Sequence, residues 1–280
     1  MSGILLPALL AAAVAIAATV AVERWGGRIG GLLSTLPTTI VPASIGIAAQ
    51  STDTAAFQDA MAACSGGMLV DVLFLYFWRA VPPRLPELGL WGRLLLMLVV
   101  SLLGWLVAAT MLTVFLHGLR ARGVPLLGVG TGLVILTAAV GALACLRNPP
   151  SPAGRRRVGP ATLIARGVLA GAAIAGAVWL ASVGGAIASG VASVFPAIFL
   201  TTMVSLWISQ GEAVQAGAVG PMMLGASSVS GFALIAALTL PALGTLWGTV
   251  LAWSLAVCLV TVPAWLWLQR RASRPWSEDI

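Results

Sequence analysis

The feature that most constrains this chain is an internal repeat of hydrophobic segments. When the 280-residue sequence is displaced by 159 positions against itself, Pro37 coincides with Pro196. Each unit has four hydrophobic segments, and a single further segment lies between the units. In a membrane, an odd connector inverts the second unit, so the sequence predicts inverted repeats around interrupted helices, which is typical of secondary transporters. Further matched pairs are Gly26 with Gly185, Gly31 with Gly190, Ser34 with Ser193, Gly66 with Gly225, and Asp53 opposite Glu212.

Composition excludes a water-soluble fold. The chain is 60% hydrophobic and only 8% charged, which leaves too little polar surface to cover a globule. We therefore expect an integral membrane protein whose main partner is the lipid bilayer. Its basic residues are all arginines that separate hydrophobic stretches and form no basic face, so they indicate topology and not nucleic-acid binding. No cofactor motif is recognisable.

The hydropathy pattern predicts an all-α protein of about nine transmembrane helices. We expect repeat 1 over residues 1–118, a connector helix with an arginine-rich loop over 119–160, and repeat 2 over 161–280. We count the first segment as a retained span and not a signal peptide, because no positively charged region precedes it. The predicted spans are 4–22, 26–50, 54–78, 88–117, 123–146, 161–182, 185–209, 213–238 and 243–268.

Arginine distribution predicts the sidedness of these spans. Threading the chain alternately through a bilayer places every arginine except Arg120 and Arg122 on one side. This bias predicts an N-terminus outside and a C-terminus in the cytoplasm of a bacterial inner membrane.

The second span of each unit carries a proline near its middle, Pro37 in the first and Pro196 in the second. Proline frees a backbone carbonyl, which inside a bilayer must be satisfied by protein, hydroxyls or trapped water. We predict a central substrate or ion site at the two breaks; the alternative is a kinked helix that binds nothing. Nearby hydroxyls make Ser34, Thr35, Thr38, Thr39, Ser193, Thr201 and Thr202 the candidate binding residues, together with both prolines.

Two carboxylates lie within the third span. Asp59 and Asp71 are twelve residues apart, hence about 18 Å along a helix. Because ionisable residues inside a bilayer are expensive, both are candidates for coupling transport to a proton or cation. The alternatives are that each reaches its nearer interface or pairs with Arg79.

Asp53 and Glu212 correspond across the repeat and begin spans three and eight. They are gate candidates, although an acidic residue at a helix N-terminus needs no ligand to explain it. Met61, Cys64, Met68 and Asp71 share one face of span three, where core packing is favoured over a soft-metal site. We predict no metal site.

Catalytic motifs are poor. Gly225-Ala-Ser-Ser-Val-Ser-Gly has no following histidine to act as a base, and Asp59 and Asp71 lie on one helix, so they cannot face each other as an aspartic dyad. We do not expect an enzyme.

The second unit resembles the small GlpM-like bacterial inner-membrane proteins. The resemblance rests on Ile187-Ala-Ser-Gly-Val-Ala-Ser-Val-Phe-Pro, on Ser209-Gln-Gly-Glu-Ala, and on the surroundings of Pro241 and Trp253. It covers most of 163–268 and extends to 4–110 through Gly30-Gly-Leu-Leu-Ser-Thr-Leu-Pro. The resemblance implies that two four-span units are fused through a topology-reversing helix.

These patterns together favour a secondary transporter that works by alternating access around Pro37 and Pro196, with a small polar or lipid-linked substrate. Two alternatives stay open: a non-transporting scaffold subunit of a cell-envelope machine, and a passive channel. The fold alone does not choose among them. A homo-oligomer is also left open.

Overall fold

The structure is a computed structural model that describes residues 2–25, 36–146, 159–183, 185–210 and 212–272. These described residues form helices and short connections, and no strand occurs among them. The helices are α1 (Ser2–Trp25), α2 (Ile40–Gln50), α3 (Thr54–Ala80), α4 (Leu90–Ala121), α5 (Leu126–Leu146), α6 (Pro160–Ser182), α7 (Ala186–Ala192), α8 (Ala197–Gln210), α9 (Glu212–Ala256) and α10 (Val262–Ala272), the last two joined by a π-helical turn, Val257–Thr261.

The protein is a helical, multi-pass membrane protein. Within the described ranges, six helical stretches are long and apolar enough to cross a bilayer, and two shorter apolar stretches, Ile4–Ala17 and Ile40–Gln50, accompany them. The six are Thr54–Ala80, Leu90–Ala121, Leu126–Leu146, Pro160–Ser182, Ala186–Ile208 and Ala216–Arg270.

Helix α9 reverses direction at Gly244. This glycine has φ 75° and ψ 170°, a backbone conformation that residues with a side chain rarely adopt. The Thr239 hydroxyl donates to the Gly248 carbonyl at 2.8 Å, although nine residues of straight helix would span about 13 Å. The predicted boundary between the last two spans, at 239–242, is therefore wrong: helix continues to Gly244, and the chain folds back there as a hairpin of two arms, 212–243 and 245–272.

Helix α3 forms the centre of the molecule. Its residues are buried almost all round, and it packs against α4, α5, α7 and the first arm of α9. Glycines permit this density: a β-carbon at Gly190 of α7 would overlap the carbonyl oxygen of Ala60, and one at Gly67 would overlap Val194. Small residues at helix contacts are the usual way in which membrane helices approach closely.

Equivalent helices of the two units pack against each other in opposite directions. The Gln58 amide of α3 donates to the Ala237 carbonyl of α9 at 3.3 Å, and Ser65 and Ser230 exchange hydroxyl-to-carbonyl bonds of 3.1 and 3.2 Å. Residue numbers rise along α3 while they fall along α9, so the two helices are antiparallel.

The first helices of the two units behave in the same way. Gly171 of α6 lies against Ala8 and Ala12 of α1, and Gly167 lies against Ala12 and Ile16. Helices α1 and α6 are therefore antiparallel. Ala12 and Gly171, which touch at the crossing, are also equivalent under the 159-residue displacement.

The remaining contacts fix the other directions relative to α3. Helix α5 is parallel to α3, since Gly130 packs on Ala62 and the Arg79 guanidinium donates to the Ala144 carbonyl at 3.2 Å. Helix α4 is antiparallel to α3, whereas α7 is parallel to it. The successive spans α3, α4 and α5 therefore alternate in direction.

Candidate functional site

The second unit has a clear helix break at the predicted proline. Helix α7 ends at Ala192 and α8 begins at Ala197, with Pro196 between them. The two helices nevertheless continue one path along α6, because Ser189 bonds to the Ala177 carbonyl at 2.6 Å and Thr201 lies beside Arg166. The break thus interrupts a single span, as the sequence predicts.

The first unit shows the same local backbone at Pro37. The Thr38 N–H donates to the Leu36 carbonyl at 2.8 Å, and the Ala197 N–H donates to the Phe195 carbonyl at 2.7 Å. These bonds occupy equivalent positions of the repeat, and each closes a three-residue turn centred on proline. Helix α2 then begins at Ile40, so the described part of the predicted span 26–50 becomes helical only after the proline.

The hydroxyl candidates divide between the two breaks. Thr38 and Thr39 are half-buried at the first break, and Thr39 precedes α2 without capping it through its side chain. Ser193 is buried at the second break, where its hydroxyl donates to the Gly190 carbonyl at 2.7 Å. No hydrogen bond among the described residues joins 36–39 to 193–196. Ser34 and Thr35 lie outside the described residues.

The second break packs against the middle of α3 and α4. A β-carbon at Gly67 of α3 would overlap the side chain of Val194, which lies in this break. Phe195 presents its ring to Trp105 of α4, with centroids 5.2 Å apart and planes at 82°. Three spans therefore meet where the backbone of one is interrupted.

Asp71 belongs to this meeting point. Its carboxylate accepts the indole N–H of Trp105 at 2.8 Å, and the residue is only 2% exposed. In the described parts of the chain no arginine forms an ion pair with Asp71, so the proposed pairing with Arg79 is not found. A carboxyl group held by a neutral donor, in an apolar surrounding, can exchange a proton or a cation without first breaking a salt bridge.

Asp59 has a different environment. Its carboxylate forms an ion pair with Arg120 of α4 at 2.7 Å, and Arg120 is 46% exposed. The pairing with Arg79 is therefore wrong for Asp59 also. Asp53, Asp59, His117 and Arg120 line an open pocket of about 280 Å³ at the ends of α3, α4 and α7.

Asp53 is an N-cap. Its carboxylate accepts the Ala56 N–H at 2.8 Å, which is the capping bond expected of an acidic residue at a helix start. The same bond lowers the pKa of Asp53 below its usual value, since it stabilises the ionised carboxylate.

Glu212 is equivalent to Asp53 under the 159-residue displacement, and it makes a stronger contact than the Asp53 cap. Arg93 of α4 donates to both of its carboxylate oxygens, at 2.8 and 2.9 Å. The same guanidinium donates to the carbonyls of Pro82, Leu85 and Pro86, which ties the α3–α4 connection to the start of α9. Arg93 and Arg120 lie 27 residues apart, about 40 Å along α4.

Thr201 and Thr202 gather around a charge that sequence reasoning missed. Arg166 donates from Nε to the Thr201 hydroxyl at 3.0 Å and from Nη2 to the Thr202 hydroxyl at 2.9 Å. The structure corrects the interpretation of Arg166 as a topology signal alone, because this residue is buried inside the protein and only 6% exposed. Its position within the predicted span 161–182 was the available signal.

Comparison with known proteins identifies no relative: no family model, curated protein or solved structure matches the chain. The resemblance to GlpM-like proteins therefore stays a prediction.

The row of Met61, Cys64 and Met68 is buried in the core, as the packing interpretation predicts. Trp105, Phe195 and Arg93 were not predicted as site residues, because nothing in their local sequence distinguishes them from ordinary packing or interface residues.

Proposed function

We propose that the protein is a secondary transporter of the bacterial inner membrane, with nine spans arranged as two inverted repeats. The observation that carries the proposal is the matched pair of proline breaks, each closed by the same three-residue turn at Pro37 and Pro196. Interrupted helices in equivalent positions of two repeats are the usual location of a transporter binding site.

Helix directions support the inverted arrangement. Equivalent helices are antiparallel in both pairs in contact, α1 with α6 and α3 with α9. Inverted repeats require this relation, since each helix of the second unit must cross the bilayer opposite to its counterpart. Counting α2 as one span, the α7–α8 pair as one interrupted span and the hairpin of α9 as two gives nine.

In this proposal Asp71 couples transport to a proton or cation. It lies beside the second break through Trp105 and Phe195, and its hydrogen-bond donor is neutral. Asp59 is the weaker coupling candidate because its carboxylate is already paired with Arg120.

The two ion pairs, Asp59–Arg120 and Arg93–Glu212, act as outer and inner gates. Both arginines belong to α4, which also carries Trp105 between them. A tilt of α4 that breaks one pair while the other holds would open the site to one side at a time.

The test is solid-supported-membrane electrophysiology on purified protein in liposomes, with cations, anions, sugars, amino acids and lipid head-group analogues, with and without a pH gradient. We expect a saturable current that disappears in Asp71→Asn. Pro37→Ala and Pro196→Ala should also lose the current while remaining folded, because straight helices close the site.

Pro221→Ala is the matched control, since Pro221 lies inside α9 and the helix continues through it. A current that survives in both Pro37→Ala and Pro196→Ala would remove the breaks from the mechanism. Silence across the panel would favour a scaffold subunit, and unitary currents in a planar bilayer would favour a passive channel.

A further inference from the structure

The carboxyl group of Asp71 belongs to a chain of contacts that is built from residues of only one type of unit. Its carboxylate accepts the Trp105 indole N–H, and the Trp105 ring packs edge-to-face on Phe195, next to the second break. Under the 159-residue displacement the equivalent residues are all neutral: Ser230, Ala264 and Leu36. The repeat architecture therefore explains neither the carboxylate nor its link to the break.

Packing at this position is satisfied without a charge. Ser230, which is equivalent to Asp71, is fully buried, and its hydroxyl donates to the Ser65 carbonyl at 3.2 Å. A neutral hydroxyl thus completes the helix contact in the second unit. Ionisable residues buried inside a membrane protein are costly and mark proton and ion pathways. Asp71 is only 2% exposed, so its carboxyl group indicates such a pathway in the first unit.

The surroundings of Asp71 suit a proton better than a metal cation. Ca²⁺ and Mg²⁺ are held by about six or more oxygen ligands. In the part of the chain that the structure describes, no group of three or more His, Cys, Asp or Glu side chains could hold a metal ion. The hydrogen bond to Asp71 comes from an N–H, which directs a positive hydrogen at Oδ1 and would repel a cation. A proton needs one lone pair, and Oδ2 accepts no hydrogen bond from a described residue.

Other ionisable side chains on the helices around Asp71 lie elsewhere along those helices. Residues 186–210, which form the second break and the helices on both sides of it, contain no ionisable side chain. Those of the other helices are Asp59, Cys64, Tyr76 and Arg79 on α3, Arg93, His117 and Arg120 on α4, Cys145 on α5 and Glu212 on α9. The nearest along the same face of α3 is the Cys64 thiol, two turns before Asp71. Asp71 is therefore the one carboxyl group beside the break.

Trp105 connects the charge of Asp71 to the break. A hydrogen bond to a carboxylate is roughly twice as strong as one to a neutral acceptor. Binding of a proton at Oδ2 forms an O–H bond, neutralises the carboxyl group and weakens its bond from the indole N–H. The indole then holds its place beside Phe195 less firmly, so the segment between α7 and α8 can move. Release of the proton to water on the opposite side restores the carboxylate and its hydrogen bond.

We propose that a proton is the coupling ion of this transporter and that it binds to Asp71. Trp105 is the positioning residue that transmits its binding to the break through Phe195. The inference rests on the proposed transport function and names its coupling ion and the contact that couples. Trp105 belongs to the helix that carries both gate arginines, so the same contact reaches the element whose tilt opens the gates.

Infrared difference spectroscopy measures proton binding at Asp71 without a known substrate. Purified protein in phosphatidylcholine liposomes is titrated with acid, and the carbonyl stretch of protonated carboxyl groups is followed. We expect a titrating band that Asp71→Asn removes and that Glu87→Gln, a change at an exposed carboxyl group, leaves in place. The midpoint should be equal in sodium, potassium and choline chloride at one ionic strength. A midpoint that falls as sodium rises would overturn the proton as the bound ion.

A second variant protects this measurement against misfolding. Asp71→Glu keeps a carboxyl group in another position, so it should keep a titrating band with a changed midpoint. A band that survives in Asp71→Asn, that does not respond to pH, or that is identical in Asp71→Glu would overturn Asp71 as the proton-binding residue.

Trp105→Phe tests the link from Asp71 to α4, since phenylalanine keeps an aromatic ring but lacks the N–H. The titration midpoint of the Asp71 band should move to higher pH by about one to two units, because the carboxylate loses its donor. Trp91→Phe, the same change at a 67% exposed position of α4, is the matched control and should leave the midpoint unchanged. Lower stability of Trp105→Phe without a moved midpoint would overturn the link.

Phe195→Leu separates proton binding from its transmission. It removes the ring that contacts Trp105 and keeps the indole–carboxylate bond, so the infrared titration should not change. The saturable current in the solute panel with a pH gradient should fall at least tenfold. Phe115→Leu, at a 58% exposed position, is the control and should keep the current. An unchanged current in Phe195→Leu would overturn the transmission through this ring.

The outcomes distinguish this inference from the transport proposal. Proton movement is followed with a pH-sensitive dye trapped inside the liposomes. A saturable solute current that requires a sodium gradient and moves no protons would retain the transporter and overturn proton coupling. A titrating band lost in Asp71→Asn, without solute current or proton movement, would retain the proton site and overturn transport. Neither a titrating band nor a current would overturn both.

Discussion

At the scale of single residues, each carboxylate in or near the bilayer needs a partner, and four carboxylates are stabilised in four different ways. Asp53 caps a helix, Asp59 pairs with a half-exposed arginine, and Glu212 accepts two bonds from Arg93. Asp71 alone of these is held by an indole N–H. The residue type was readable in the sequence, but its role depended on which donor the fold placed beside it.

The Trp105–Asp71 hydrogen bond should be measurable as a coupling between two helices. Trp105→Phe removes the indole donor and should cost about 1–3 kcal/mol, because the buried carboxyl loses its hydrogen-bond donor. The Trp105→Phe effect should shrink in an Asp71→Asn background, as a thermal-unfolding double-mutant cycle would show. Trp247→Phe, at a 68% exposed position, is the control and should leave stability unchanged. Strictly additive effects would show that the bond contributes nothing.

The Asp53 cap should make stability depend on pH in a defined direction. Its pKa is lower in the folded protein than in the unfolded chain, so its contribution is complete above the usual carboxyl pKa of about 3.9. The contribution is lost as the pH falls through the lowered pKa. Asp53→Ala should lower the melting temperature at neutral pH, whereas Asp53→Asn should lower it less because asparagine also caps helices.

Equal melting temperatures for these two Asp53 variants and the parent protein at pH 7 would show that the cap is dispensable.

At the scale of helices, glycine decides which elements touch. Gly190 lets α7 approach the backbone of α3, and Gly67 receives Val194 close to the break. These contacts place the interrupted span directly against the helix that carries Cys64 and Asp71.

Gly190→Ala should destabilise the protein by about 1–3 kcal/mol, because the added methyl group overlaps the Ala60 carbonyl and neither backbone can move freely. Gly176→Ala is the matched control: nothing lies within 4 Å of the new β-carbon, and alanine favours helix by up to about 1 kcal/mol. Thermal unfolding in detergent measures both. A Gly190→Ala protein as stable as the Gly176→Ala protein would contradict the close approach of α7 to α3.

At the scale of the whole molecule, the direction of each span is the property on which the proposal depends. The antiparallel contacts of α1 with α6 and of α3 with α9 imply that positions 53 and 212 emerge on opposite faces of the bundle. A soluble or peripheral assembly would have no such constraint.

Single cysteines test this directly. In a background with Cys64, Cys145 and Cys258 replaced by alanine, we expect Thr52→Cys to react with a membrane-impermeant maleimide added outside intact cells. Glu87→Cys, in the connection to which Arg93 binds, should react only after permeabilisation, because α3 separates the two positions. Labelling of both from one side would contradict the alternating spans.

The sequence by itself determined the membrane class and the non-helical turns at Pro37 and Pro196, because hydropathy and the missing proline N–H act locally along the chain. From the sequence, the final reversal of the chain was expected as a loop at 239–242. In the structure the helix continues to Gly244 and the chain reverses there. Only the tertiary structure decided the charge partners. Trp105 is 34 residues from Asp71 and Glu212 is 119 from Arg93, and such pairs depend on the register of packed apolar helices, which no local pattern specifies.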